Sequence, residues 1–246
     1  MDQLLIALDV ESGRRALELA ASLREVAGGF KIGKRLFTAE GPAIVRALVD
    51  QGSRVFLDLK FHDIPNTVAA AAAEATKLGV WMVNVHASGG GRMMRAAVDA
   101  AREAAAARGI PAPLVIGVTV LTSMNDQTLQ ETGVNAPVRD QVARLAALAQ
   151  ASGLDGVVAS PQETALIRER CGPGFAIVTP GVRGGAAVAG PDDQERTMGP
   201  AEAIAAGASY LVVGRPIIAA EDPRSAAERI ARDVQDAGSA PRATSR

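Results

Sequence analysis

Asp58 and Lys60 stand two apart in the run Arg54-Val55-Phe56-Leu57-Asp58-Leu59-Lys60, so in an extended strand a carboxylate and an ammonium share one face. If that strand ends at the mouth of a barrel, the face opens on the lumen. Lys31, at the end of the preceding apolar run, and Asp63, just past the end of this one, extend the pair into an alternating Lys-Asp-Lys-Asp array whose members hold one another ionised. Flanking carboxylates keep a lysine charged, which counts against a class I aldolase that would use Lys60 as a Schiff base. A Schiff-base amine would need a desolvated, low-pKa lysine instead. An isolated pair of such residues would read as a surface ion pair worth under about 1 kcal/mol. Four of them converging on strand ends favour a site.

A second cluster points to an anion. Thr179-Pro180-Gly181-Val182-Arg183 and Val213-Gly214-Arg215-Pro216 each follow an apolar run. Glycine lets backbone amides approach a phosphate, proline opens a short helix whose N-terminus favours negative charge, and arginine offers a planar fork of donors. Other candidates carry less. His86 ends a strand candidate but is equally well explained as a structural histidine, and His62 is expected to orient its turn. Cys171 has no base nearby in sequence and reads as structural, and Gly89-Gly90-Gly91 lacks the spacing of a nucleotide-binding loop and reads as a helix start.

The elements that must position these residues alternate between two periods. β-branched and aliphatic runs mark strands at Leu4 to Asp9, Gly29 to Ile32, Arg54 to Lys60, Met82 to His86, Leu114 to Thr119, Gly156 to Ala159, Phe175 to Thr179 and Tyr210 to Gly214. Helical patterns lie between them, among them Gly13 to Val26, Gly41 to Gln51, Thr67 to Leu78, Gly91 to Ala107, Val138 to Ser152 and Pro200 to Ala206. Repeated βα units of this kind predict an α/β fold of parallel strands closed into a single-domain (β/α)8 TIM barrel, which commonly takes about 250 residues. The barrel is expected over residues 1–236, with 237–246 as a disordered tail and 182–197 as a long loop suited to an active-site lid. Active sites of such barrels lie at the C-terminal strand ends. Those ends carry Asp9, Lys31, Asp58 with Lys60, His86, Thr122 with Ser123, Pro180, and Gly214 with Arg215.

Composition narrows the function. The 246 residues are 48% hydrophobic and carry a net charge of -1, which leaves no global field to draw the chain to nucleic acid or to a membrane surface. Any anion must be bound locally. One cysteine and two histidines are too few for a disulfide framework or an ordinary structural zinc site, so no metal is expected. With an N-terminus that opens directly on a strand and no long apolar run, the expectation is a cytoplasmic, soluble protein. Only four lysines occur, Lys31, Lys34, Lys60 and Lys77. Where arginine supplies nearly all the positive charge, a retained lysine is a stronger candidate for a role that needs an ammonium.

The ten residues Asp58-Leu59-Lys60-Phe61-His62-Asp63-Ile64-Pro65-Asn66-Thr67 resemble the signature of the orotidine 5'-phosphate decarboxylase family in its shorter bacterial form. The resemblance extends through Ala7-Leu8-Asp9, Lys31-Ile32-Gly33, Val120-Leu121-Thr122-Ser123, Thr179 to Arg183, Asp193-Gln194 and Val213 to Pro216. It implies a cofactor-free and metal-free decarboxylation of orotidine 5'-phosphate to uridine 5'-phosphate by a homodimer. Lys60 would be the proton donor, Asp58 would face the scissile carboxylate, and Lys31 would bind a ribose hydroxyl and keep Asp58 charged. Asp63 and Thr67 would reach into the partner subunit's site. Asp9 would accept from a ribose hydroxyl, Thr122 and Ser123 would line the pyrimidine side, and Pro180, Arg183, Gln194, Gly214 and Arg215 would hold the phosphate end. The chain departs from the family pattern after Arg183, where Gly184-Gly185-Ala186-Ala187-Val188-Ala189 stands in place of a proline and Gly-Asp.

Two other readings stay open. Related barrels that use magnesium on sugar phosphates, such as 3-hexulose-6-phosphate synthase, share the Asp-x-Lys-x-x-Asp arrangement but generally carry an acidic residue at the strand-two position held here by Lys31. A non-catalytic nucleotide-phosphate binder would keep the phosphate cluster without needing the charged array.

Overall fold

In a computed structural model the chain is described over residues 2–181 and 198–239. Eight strands form a closed, all-parallel barrel in chain order. The first half runs β1 (Leu4–Ala7), α1 (Gly13–Leu23), β2 (Gly29–Gly33), α2 (Lys34–Glu40), α3 (Pro42–Asp50), β3 (Val55–Phe61), α4 (Pro65–Lys77), β4 (Met82–His86) and α5 (Gly91–Arg108). The second runs β5 (Leu114–Val118), α6 (Asp126–Glu131), α7 (Val138–Ala151), β6 (Gly156–Val158), α8 (Thr164–Cys171), β7 (Ala176–Thr179), α9 (Pro200–Ala205), β8 (Tyr210–Val213), α10 (Arg215–Ile218) and α11 (Pro223–Ser239). The expected barrel is present with each strand within two residues of its expected bounds at the N-terminal end; β1 stops at Ala7 rather than Asp9.

Alternation along the strands divides the core. Leu4, Ile6, Leu8, Phe30, Ile32, Val55, Leu57, Val83, Val85, Val115, Val157, Ile177, Leu211 and Val213 face the helices in one large cluster. Leu5, Ala7, Phe56, Met82, Ile116, Val178 and Val212 form a separate cluster inside the barrel. Trp81 and Tyr210 pack edge to face beneath this plug at 5.1 Å, and the Arg54 guanidinium lies 5.6 Å from the Trp81 ring. The lumen is thus sealed by apolar side chains at the N-terminal end. Following the same inward parity upward from Ala7, Phe56 and Met82 leads to Asp9, Asp58 and Asn84, so polarity is confined to the C-terminal mouth.

Three local features bear on the sequence reading. Gly90 takes φ 86 ahead of α5, a left-handed conformation that suits glycine, so the glycine run is the helix start expected of it. Cys171 is buried at the end of α8, and burial pushes its thiol pKa up, as fits a structural residue. The last helix continues past the expected boundary at 236 to Ser239, because Ala237 still packs against the core. Residues 240–246 of the expected tail and all of the expected lid at 182–197 lie outside the described residues. Among the described residues no helix is long and apolar enough to cross a membrane.

Candidate active site

The charged residues meet at the mouth between β1, β2 and β3. Lys31, at 10% side-chain exposure, places Nζ 3.1 Å from Asp9 Oδ1 and 3.4 Å from Asp58 Oδ2. Lys60 Nζ lies 2.5 Å from Asp58 Oδ1. The order of charges is therefore Asp9, Lys31, Asp58, Lys60. Asp9 takes the outer position that the sequence spacing offered to Asp63, because Leu8 N still donates to Lys31 O and carries the end of β1 alongside β2. Asp63 is exposed, and its carboxylate accepts from the backbone N–H of Ile64 at 2.6 Å.

Gly33 lies close against the Lys31–Asp9 pair. A Cβ at this position would stand 3.0 Å from Lys31 Nζ and 3.2 Å from Asp9 Oδ1, so any side chain would press on the ion pair. At Gly214, at the end of β8, a Cβ would stand 3.3 Å from Ala7 Cβ and at ordinary contact distance, 3.6 Å, from Asp9 Oδ2. The expected phosphate segment is therefore adjacent to the charged array.

The strand that carries Asp58 and Lys60 is irregular where it matters. Pairing runs Leu57 to Val83 and then Phe61 to Val85, so β3 uses four residues where β4 uses two. Bulges of this kind re-aim side chains near sites. Lys60 sits in the bulge at φ 55, and no other described non-glycine residue has positive φ. Such a backbone costs about 1–3 kcal/mol and persists only where its surroundings hold it. One support is visible: the Lys60 N–H donates to Asn84 Oδ1 at 2.8 Å. The Asn84 amide in turn donates to Asp58 Oδ1 at 2.7 Å. Asn84 is fully buried and was not picked out from the sequence. The signal was present, since it is the one amide in the otherwise apolar run Met82-Val83-Asn84-Val85 and has the parity of the inward face.

Electrostatics follow from this geometry. Burial by itself raises the Asp58 pKa, but the ammonium groups of Lys31 and Lys60 and the hydrogen bonds from Lys60 and Asn84 outweigh it, and the carboxyl is held below its ordinary value. Asp58 is therefore ionised at neutral pH. His86, at the end of β4, is pushed down to about 4 by burial, then by His62, Lys60 and Lys34, against a smaller opposing effect of Asp58. Its ring lies 5.4 Å from that of His62. A neutral imidazole at that position can hydrogen-bond through its one N–H and its bare nitrogen but is not an imidazolium acid at neutral pH.

The remaining described candidates follow strands of the same barrel. Thr122 and Ser123 form a turn after β5 closed by Met124 N to Leu121 O at 2.9 Å. Pro180 follows β7 directly, and Arg215 is exposed at the start of the four-residue α10. Thr67 is exposed in the first turn of α4, behind Pro65 at that helix's first position. Arg183 and Gln194 lie outside the described residues. Among the described residues no group of three or more His, Cys, Asp or Glu side chains is arranged to hold a metal ion. As a whole the mouth offers a fixed pair of ammonium groups bracketing a buried carboxylate, beside a glycine and arginine suited to an anion.

A family model described as Orotidine 5'-phosphate decarboxylase / HUMPS family matches residues 2–230. A protein of Syntrophotalea carbinolica named orotidine 5'-phosphate decarboxylase is 58% identical over 232 residues, 94% of this chain and 94% of its own length. One of Moorella thermoacetica with the same name is 55% identical over 235 residues, covering 95% of this chain and 92% of the relative. Among solved structures, orotidine 5'-phosphate decarboxylase from Lactobacillus acidophilus superposes with a TM-score of 0.82 at 36% identity, over 94% of this chain and 98% of the other.

Proposed function

The chain belongs to the orotidine 5'-phosphate decarboxylase / HUMPS family, and on that premise we propose how its residues divide the work. The reaction is the decarboxylation of orotidine 5'-phosphate to uridine 5'-phosphate, a step of pyrimidine biosynthesis. One observation carries the reading: the Asp9, Lys31, Asp58, Lys60 series of charges at the barrel mouth, with lysine rather than a carboxylate on the second strand.

Loss of carbon dioxide from C6 of the orotate ring leaves an electron pair in the ring plane, where the π-system cannot spread it. Nearby positive charge must take up that role. The Lys60 ammonium stabilises the charge developing at C6 and then delivers a proton to that carbon, leaving a neutral amine that solvent reprotonates. Asp58, kept ionised by Lys31 and Lys60, faces the scissile carboxylate and raises the energy of the bound ground state, a contribution secondary to that of Lys60. Lys31 and Asp9 hold ribose hydroxyls, and Thr122 and Ser123 line the pyrimidine. Pro180, Arg183, Gln194, Gly214 and Arg215 hold the phosphate, whose binding energy offsets the cost of setting two carboxylates together.

The enzyme works as a cytoplasmic homodimer on a small-molecule substrate, without metal or cofactor, and with neither nucleic acid nor membrane as partner. Asp63 and Thr67 serve the partner subunit's site.

The testing experiment treats purified protein with an excess of chelator, adds orotidine 5'-phosphate and follows loss of the substrate's ultraviolet absorbance. Full activity after chelation is expected. Activity that disappears and returns with magnesium would favour the sugar-phosphate lyases of the same family, and no activity under any condition would favour a non-catalytic binder. A second test concerns the phosphate. Arg215→Ala is expected to weaken binding of uridine 5'-phosphate at least tenfold but leave uridine affected far less, because a charge-assisted bond contributes about 1.5 to 3 kcal/mol and only the nucleotide makes it. Equal losses for both ligands in calorimetric titration would show that Arg215 acts through folding.

A further inference from the structure

Lys60 and Asp58 reach their positions through a residue on the neighbouring strand. Asn84 lies one strand over on β4, fully buried, and both ends of its amide are spoken for by the charged array. Its orientation is fixed by its partners. The oxygen must face the Lys60 N–H and the nitrogen must face the Asp58 carboxylate, since the reverse would set donor against donor and acceptor against acceptor. The amide therefore clamps two residues at once: the backbone of the one lysine bent into a left-handed conformation, and the carboxylate that bridges both ammonium groups. Few alternatives exist for either contact. In the bulge the Lys60 N–H is displaced from the regular ladder to β4, and Asp58 has no other neutral side-chain donor among its described partners.

We propose that Asn84 is a positioning residue for the decarboxylation, holding Lys60 in its strained backbone conformation and Asp58 in register with both ammonium groups, so that the Lys60 ammonium stands where C6 will need it. This rests on the reading of Lys60 and Asp58 given above. The left-handed backbone at Lys60 is the independent sign of such a role. A non-glycine residue takes that conformation only when neighbours hold it there, and strain of this kind gathers where a side chain must be aimed. A buried amide whose only task was to satisfy a strand could be replaced by an apolar residue on a regular β4, and the bulge would not be needed.

The test compares wild type with Asn84→Ala, and with Asn84→Ser as a smaller polar replacement should the alanine variant fail to fold. In either variant kcat is expected to fall about 10- to 100-fold, the loss of a hydrogen bond to a charged group. KM and uridine 5'-phosphate affinity should stay within about threefold, since neither ribose nor phosphate contacts change. A second readout does not depend on turnover: the Asp58 carboxyl followed by 13C NMR across pH. Asp58 is faced by Lys31 from β2, by Lys60 from β3, and by Asn84 and His86 from β4, with Asp9 of β1 beyond Lys31. Removing the Asn84 donor leaves the ammonium groups in place, so the midpoint should rise while staying below neutrality. The stability contributed by the depressed carboxyl is present above its unfolded pKa and lost as pH falls through the folded one, so in the variant the contribution is smaller and its loss is complete at a higher pH.

A folded variant with kcat within twofold of wild type overturns the proposal, whichever way Asp58 titrates. If the wild-type protein itself fails to decarboxylate orotidine 5'-phosphate, the reading of the site fails separately. The NMR titration then still decides whether Asn84 holds Asp58, and an unchanged midpoint counts against it.

Discussion

Lys60→Ala is expected to lower kcat by at least about four orders of magnitude while the barrel stays folded and still binds uridine 5'-phosphate. General acid catalysis contributes about 10²- to 10⁴-fold and a preorganised charge at a developing anion about 10²- to 10³-fold, and here a single ammonium supplies both. No other described group can replace it. Lys31 is committed between Asp9 and Asp58, and His86, pushed down to about 4, is neutral rather than an acidic imidazolium at neutral pH. Folding should survive because Asp58, the partner left behind, keeps the Lys31 ammonium at 3.4 Å and the Asn84 amide at 2.7 Å and is not stranded as a bare buried charge. Single-turnover kinetics, a thermal melt and a ligand titration on the same sample check the three parts. Activity within tenfold of wild type in a folded protein would remove Lys60 from the chemistry.

The second large effect concerns assembly. Asp63→Ala and Lys60→Ala are each expected to be nearly inactive as homodimers, yet a mixture of the two under subunit exchange should regain about a quarter of wild-type activity. Asp63 lies past the end of β3, exposed and outside its own subunit's series of charges, while Lys60 lies within it. If Asp63 serves the neighbouring site, a mixed dimer has one site with both defects and one with neither. Random exchange makes about half of all dimers mixed, and each has one intact site of two. Mass spectrometry of isotopically labelled subunits establishes that exchange has occurred. Proven exchange without recovery would mean that Asp63 acts in its own subunit and that the dimer is not needed for chemistry.

The chain's local chemistry determined a large share of what it is. Alternating runs of strand and helix period predict a closed parallel barrel because each βα unit can bury its apolar faces only against the next one, and all eight strand candidates are present. Strand parity likewise offered Asp58 and Lys60 as neighbours, with Lys31 on the adjacent strand, and they do meet, although through the β3 bulge at Lys60 rather than through a regular period of two. Tertiary structure decided what parity cannot. Which acid completes the array depends on strand register across the barrel: Asp9, distant in sequence, is brought beside Lys31 by the pairing of β1 with β2, while Asp63, close in sequence, turns away. The closeness of Gly33 to that pair is a matter of fit within about 3 Å, which composition does not encode. The β3 bulge is a property of two strands at once, and so is the role of Asn84. An asparagine in an apolar run carries no address for its partners until the barrel closes and sets Lys60 on one side of it and Asp58 on the other.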